Sequence, residues 1–227
     1  MEDDVNDISA DEEEIQDVKD IFGDDEEIRE GKKEAEEYFE MIKTCTEIIN
    51  QEFSLKVAEQ KPEIGSFEII KTIRDIYDIS FYSSADNSQQ LTVLLVEYDP
   101  AHPKISISGD GEKHCLLGLI QTRKEFPLTY IYKETLKDRM VDWFVKGDVD
   151  FKNQKKFSNM FHVVTKDKEK LISLFDNKPL DDLARFPDLE IEISKTQCLF
   201  RLSENTIDLE ESKQFILLTK SLIKIFN

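Results

Sequence analysis

Fifteen of the first thirty residues are Asp or Glu, set against Lys19 and Arg29 alone. That stretch carries a charge of -13 out of the chain's net -19. A segment so charged and so poor in apolar side chains cannot bury enough surface to offset the entropy of ordering its backbone. Residues 1–30 are therefore expected to be a disordered acidic tail, with at most a transient helix, and any core must form from the residues beyond it. The remainder, with 15 Phe and 6 Tyr across the whole chain, has ample apolar material and the length to bury it without disulfides or metals.

An isoelectric point near 4.6 speaks against a phosphate-binding face, because such faces need clustered Lys and Arg. The one basic cluster, Lys152, Lys155 and Lys156, reads as a solvated turn. No nucleic-acid partner is expected. No run approaches the ~18 consecutive apolar residues of a membrane span, and acids stand where a secretory leader would place basic and then apolar residues. No membrane association and a cytoplasmic location are expected. The three cysteines, Cys45, Cys115 and Cys198, are odd in number, widely spaced and set among apolar neighbours, the pattern of reduced buried thiols.

Periodicity supplies the elements. Ala35, Tyr38, Phe39, Ile42, Cys45, Ile48, Ile49 and Phe53 recur at three and four residues, so an amphipathic helix is expected over 31–60. Its stripe packs on the domain behind it or on a second chain, and its spacing is heptad-like for about three repeats. Phe67, Ile69, Ile70, Ile73 and Ile76 fit a short helix about as well as a strand, and we read 66–75 as helix. Period-two alternation from Tyr77 to Tyr82 and a β-rich run from Leu91 to Tyr98 predict a hairpin across a polar turn at 83–89. A third strand is expected at Ile105–Ile107, a turn at Gly109–Gly111, and a helix over 112–124 carrying Cys115, Leu116, Leu119 and Ile120, with Pro127 closing that unit.

The second half predicts a strand at Leu128–Tyr132, a helix over 135–145 ending near Gly147, and a strand through Phe161 and Val163. Short helices are expected at Lys168–Phe175 and Pro179–Phe186. Leu189, Ile191 and Ile193 alternate with Glu190, Glu192 and Ser194 as a strand with an acidic outer face, paired across Lys195–Thr196 with Cys198–Leu202. A last helix starts near Asp208, with acids in its first turn and lysines near its end, as the helix dipole favours. Strands and helices without regular βαβ alternation make an α+β fold of antiparallel sheet with packed helices. The expected divisions are tail 1–30, helix 31–60, a first α+β unit over 61–127 and a second over 128–227, the two units either separate or joined in one continuous domain.

The stretch Gly147–Phe151, then Phe157 to Val163, Asp167, a short helix and a strand-strand-helix ending resembles a widespread bacterial α+β domain family over residues 128–227. Its pattern consists of core aromatics, here Phe157 and Phe161 ahead of Val163. The resemblance implies an α+β fold and brings no activity and no functional residues. Family members often carry membrane spans ahead of the domain, which this chain lacks.

Residue patterns that carry chemistry are few. The seven glycines form no phosphate loop and no nucleophile elbow, and Gly109-Asp110-Gly111 is too short to cradle a phosphate. His102, His114 and His162 show no zinc-ligand spacing, and no two cysteines are spaced as a metal knuckle. His114 and Cys115, adjacent on a helix, would diverge by about 100°. Asp148 and Asp150 lack the further oxygens of a calcium loop. No catalytic, cofactor-binding or metal-binding residue is assigned, and no cofactor is expected. The expected function is that of a non-catalytic protein-interaction module, such as a regulator, chaperone-like or immunity-like protein, whose acidic tail attracts a basic partner. The alternative is an enzyme whose site is assembled from scattered residues, such as Asp99, His114 and Asp148. A third reading is an assembly component using residues 32–58 as a dimer seam.

Overall fold

The computed structural model describes residues 25–73, 75–84, 91–99, 113–133, 149–202 and 207–226, with side chains from Arg29 onward. The chain forms two compact units, Met1–Lys43 and Thr44–Asn227. One helix, α1 (Asp25–Phe53), belongs to both. Ile42, Cys45, Ile49 and Phe53 are buried along its stripe, whereas residues 29–37 are exposed on every side and Phe39 keeps 50% of its surface. Ser54 takes a left-handed φ of 53° and ends the helix at Phe53, where the apolar spacing stops and short of the expected residue 60, while its start at Asp25 lies inside the stretch expected to be a disordered tail. A short edge strand, β1 (Leu55–Val57), comes directly after it.

The second unit is an α+β fold built on one six-stranded antiparallel sheet. A five-residue helix, α2 (Glu68–Thr72), lies within the segment read as helix. It is succeeded by β2 (Ile76–Ser84) and β3 (Leu91–Tyr98), paired as the alternation predicts, with Phe81 opposite Leu94. Residues 85–90, 100–112 and 134–148 lie outside the described residues, and with them the expected third strand, the Gly109–Gly111 turn and the 135–145 helix.

The expected helix over 112–124 is instead the first half of β4 (Lys113–Lys133), a 21-residue strand that also absorbs the predicted strand 128–132. Cys115, Leu116, Leu117, Leu119 and Ile120 are all buried. Both faces of the strand are covered, so the period-two signal disappears and a continuous apolar run remains, which spacing alone cannot tell from a helix. Pro127, read as closing a unit, sits inside β4, where a register irregularity accommodates its missing N–H.

Along one edge β4 pairs first with β3 (Leu91 opposite Ile120) and further on with β5 (Phe161–Thr165). Along the other edge it pairs with β6 (Glu190–Arg201). The expected hairpin between 189–194 and 198–202 is not formed: both stretches belong to β6, and both pair with β4. A short α3 (Lys155–Met160) precedes β5. Between β5 and β6 lie α4 (Lys168–Phe175), capped by the Asp167 carboxylate on the Lys170 N–H at 3.0 Å, and a 3-10 turn, Leu180–Arg185. The last element is α5 (Leu209–Phe226).

Two cores result. On one face, α2 and the loop before it lay Ile64, Phe67, Ile69, Ile70 and Ile73 against Phe81, Leu94, Val96, Leu117, Leu119 and Leu199. The other core is aromatic. Phe126 meets Phe175 at 5.5 Å and Phe226 at 5.3 Å, Phe157 meets Phe161 at 5.2 Å, and Phe200 stacks on Phe215 at 5.5 Å. Phe157 and Phe161 are thus core residues, as read from the sequence, and each such ring contributes about 2–3 kcal/mol through its burial. Gly118 faces Phe200 so closely that a Cβ there would overlap the ring.

Candidate functional site

The densest polar arrangement in the second unit lies where the sheet folds over on itself. A straight twelve-residue strand would hold its ends ~36 Å apart at ~3.3 Å per residue. Yet Glu190 and Arg201, the two ends of β6, form an ion pair: Arg201 Nη2 lies 2.7 Å and Nε 2.8 Å from Glu190 Oε2. The strand must therefore turn sharply. The turn is found at Lys195, whose φ is 54°. Opposite it, the pairing advances from Gln121 to Phe126 on β4 while moving only from Gln197 to Lys195 on β6. Unequal residue counts on paired strands bend the sheet.

Inside this bend sits α2. Arg201 Nη2 donates to Thr72 Oγ1 at 3.3 Å, and Thr72 Oγ1 donates to the Ile69 carbonyl at 2.7 Å. The Ile69 N–H donates to Glu192 Oε2 at 3.1 Å, supplying one of the bonds that the open first turn of a helix lacks. Glu192 also faces the Tyr130 hydroxyl of β4. Burial pushes its carboxyl above the usual carboxylate range, against the lowering effect of the Tyr130 and backbone hydrogen bonds. Burial, then the Glu192 carboxyl itself, pushes Tyr130 strongly upward. Glu192, Tyr130 and Arg201 are each 2% exposed. The face of β6 expected to be acidic and outward is thus turned inward at Glu192, where the N–H groups of α2 and the Tyr130 hydroxyl meet it. Chemically, the arrangement ties three elements together with charge-assisted bonds, its donors and acceptors directed at one another.

A second polar exchange fixes the far end of the unit. Gln154, the N-cap residue of α3, accepts from the Asp181 N–H at 3.0 Å and donates to the Lys178 carbonyl at 3.0 Å. Asp181 returns the contact, its carboxylate accepting from the Phe157 N–H at 2.9 Å. This capping exchange spans 27 residues of sequence, so its partners could not be read from local spacing, and Asp181 carried no signal in a chain rich in paired acids.

The third cluster joins the end of α1 to the start of α5. Cys45 is fully buried and hydrogen-bonded to the Ser212 hydroxyl, which donates to the Asp208 carbonyl at 2.8 Å. Burial raises the thiol, and the Asp208 and Glu211 charges add to that. Asp208 caps α5 through the Glu211 N–H at 2.7 Å. The Glu211 Oε2 is shielded from solvent and has no hydrogen-bond partner among the described residues. Burial, and secondarily Asp208, pushes the Glu211 carboxyl up to about 7.

Among the described residues, those singled out by sequence are engaged in separate contacts. His114 lies on β4 opposite Glu97, 4.0 Å from its carboxylate, and adjacent strand positions face opposite sides of a sheet, so it and Cys115 point apart. Asp99 accepts from the Tyr77 hydroxyl at 3.4 Å. Asp148 and His102 lie outside the described residues. His162 stacks on Tyr132 at 5.9 Å, and Asp150, Lys152, Lys155 and Lys156 are exposed. The three cysteines are free thiols, all buried. Among the described residues no group of three or more His, Cys, Asp or Glu could hold a metal ion, and no helix is long and apolar enough to cross a membrane. No protein-family model matches the chain, and no curated protein is similar to it.

Proposed function

We propose that the chain is a non-catalytic, cytoplasmic protein-interaction module whose acidic N-terminal segment draws in a basic partner. The observation that carries this reading is the separation of charge. The first thirty residues hold -13, and they lead into a helix whose residues 29–37 are exposed on every side. Such a segment attracts a basic surface at long range and screens away with salt. At the bend of β6 and in the Gln154–Asp181 exchange the polar groups are directed at one another, which fits a scaffold that presents a surface better than a reaction centre.

The test is affinity capture from the native host's lysate with the full chain and with a chain beginning at Lys32, at two salt concentrations. Retention of a stoichiometric basic protein by the full chain, lost on removing residues 1–31 and weakened by salt, is the expected result. Equal capture by both chains would refute the role given to the acidic segment.

A further inference from the structure

We propose that the Glu211 carboxyl is a proton-operated latch in the seam between α5 and the Thr44–Phe53 end of α1: protonated, it lets α1 seat, and deprotonated, it loosens that seat. The latch stands whether or not the chain is an interaction module.

This end of α1 is tied to α5 at one point by Cys45 with Ser212 and two turns later by the Lys220–Glu52 ion pair at 2.6 Å. Beside the first tie stands the Glu211 carboxyl. Its own backbone N–H is taken by Asp208 Oδ1, and its Oε2 is closed off from water without a hydrogen-bond donor. A buried polar atom without a partner is rare in folded proteins and costs most when it is charged. The titratable groups facing it are Asp208, from its own turn, and the Cys45 thiol, from α1. Neither supplies a positive charge, and no ion pair reaches Glu211 among the described residues. Asp208, as the helix cap, is held by its bond to the Glu211 N–H and keeps its negative charge close by.

The carboxyl thus has two ways to satisfy itself. With a proton it is neutral, and both its burial and the proximity of Asp208 are tolerable. Without one, charge falls on the shielded Oε2, and giving that oxygen water means moving the partly exposed side chain further out of the seam. Its value of about 7 places this exchange at neutral pH, where ordinary carboxylates are already ionised. Between the normal carboxylate range and about 7 the seated seam binds up to one proton more than the opened seam. By linkage, seating is fully favoured at low pH and is lost as pH rises through about 7.

Hydrogen exchange of the full chain, corrected for intrinsic rates, reads the latch directly. Peptides covering residues 44–53 should lose protection relative to peptides from β6 as pH rises from ~5 to ~7, by up to about tenfold per pH unit for one linked proton, and the loss should level off above that. In Glu211→Gln, which keeps the size and removes the charge, protection of 44–53 should be independent of pH over that range. A carbon-detected titration of the wild-type carboxyls gives a second reading that needs no variant. A Glu211 midpoint in the ordinary carboxylate range would overturn the proposal. So would a pH profile of 44–53 identical in wild type and Glu211→Gln, or a loss of protection spread equally over β6.

Discussion

Arg201→Ala tests whether the fold of β6 is held by the ion pair between its ends. The guanidinium lies with two nitrogens on one Glu190 oxygen, at 2.7 and 2.8 Å, and the two side chains are 3% and 12% exposed. Truncating the arginine leaves Glu190 in the bend without this cation and removes a donor from Thr72. Removing one partner of a buried pair typically costs about 3–5 kcal/mol, because the remaining charge is uncompensated. For a domain of this size each kcal/mol moves the melting temperature by about 2–4 °C, so a fall of ~6–20 °C is expected. Replacing both partners, as Glu190→Leu with Arg201→Met, removes the stranded charge and should return stability to within about 1 kcal/mol of the wild type. Urea unfolding by far-ultraviolet circular dichroism, applied to wild type, each single variant and the double variant, would measure the whole cycle. A single-variant cost under about 1 kcal/mol, the range of an exposed pair, would sink the assignment of the bend to this pair. A double variant as unstable as the sum of the singles would sink it too.

Gly118→Ala puts a methyl group into the Phe200 ring and should cost about 1–3 kcal/mol by overpacking; pairing it with Phe200→Leu should recover part of that loss in the same unfolding assay. Asp181→Ala removes the carboxylate that caps α3 from a distance and should cost about 0.5–2 kcal/mol, whereas Asp182→Ala, at the neighbouring, partly exposed acid, should stay within about 0.5 kcal/mol of wild type. The Glu192 carboxyl is held above the usual range by burial, so the folded chain keeps a proton that the unfolded chain releases. Its contribution is present at low pH and is lost as pH rises through the folded-state value. Glu192→Gln should therefore flatten the fall in stability with rising pH, as measured by unfolding free energies at stepped pH.

Elements with one covered face were legible from their period, whereas of the strands covered on both faces β3 was read from its β-forming residues and β4 was missed. The α1 stripe, the alternation of β2 and the Phe215–Leu218–Leu222 face of α5 show clear periods because one side meets the core and the other is more exposed. The buried cysteines and the Phe157–Phe161 pair were readable for a related reason: apolar residues among apolar neighbours have few places to go. β4 was hidden because covering both faces erases alternation. The end of α1 was hidden because Ser54 stops the helix by adopting a left-handed φ that no local residue pattern demanded.

The candidate site was not legible at all. Glu192 alternates with isoleucines just as an exposed acid would, and no neighbouring residue announces the helix N–H that it receives. Charge density and periodicity act over a few residues, so they were enough to specify the acidic segment, the amphipathic helices and the α+β class. That one strand turns through both halves of the sheet, that Glu190 and Arg201 meet, and that Glu211 Oε2 is sealed beside α1 came from the folded chain. Those outcomes depend on contacts between residues distant in the chain, whose energies exist only once the backbone has brought them together.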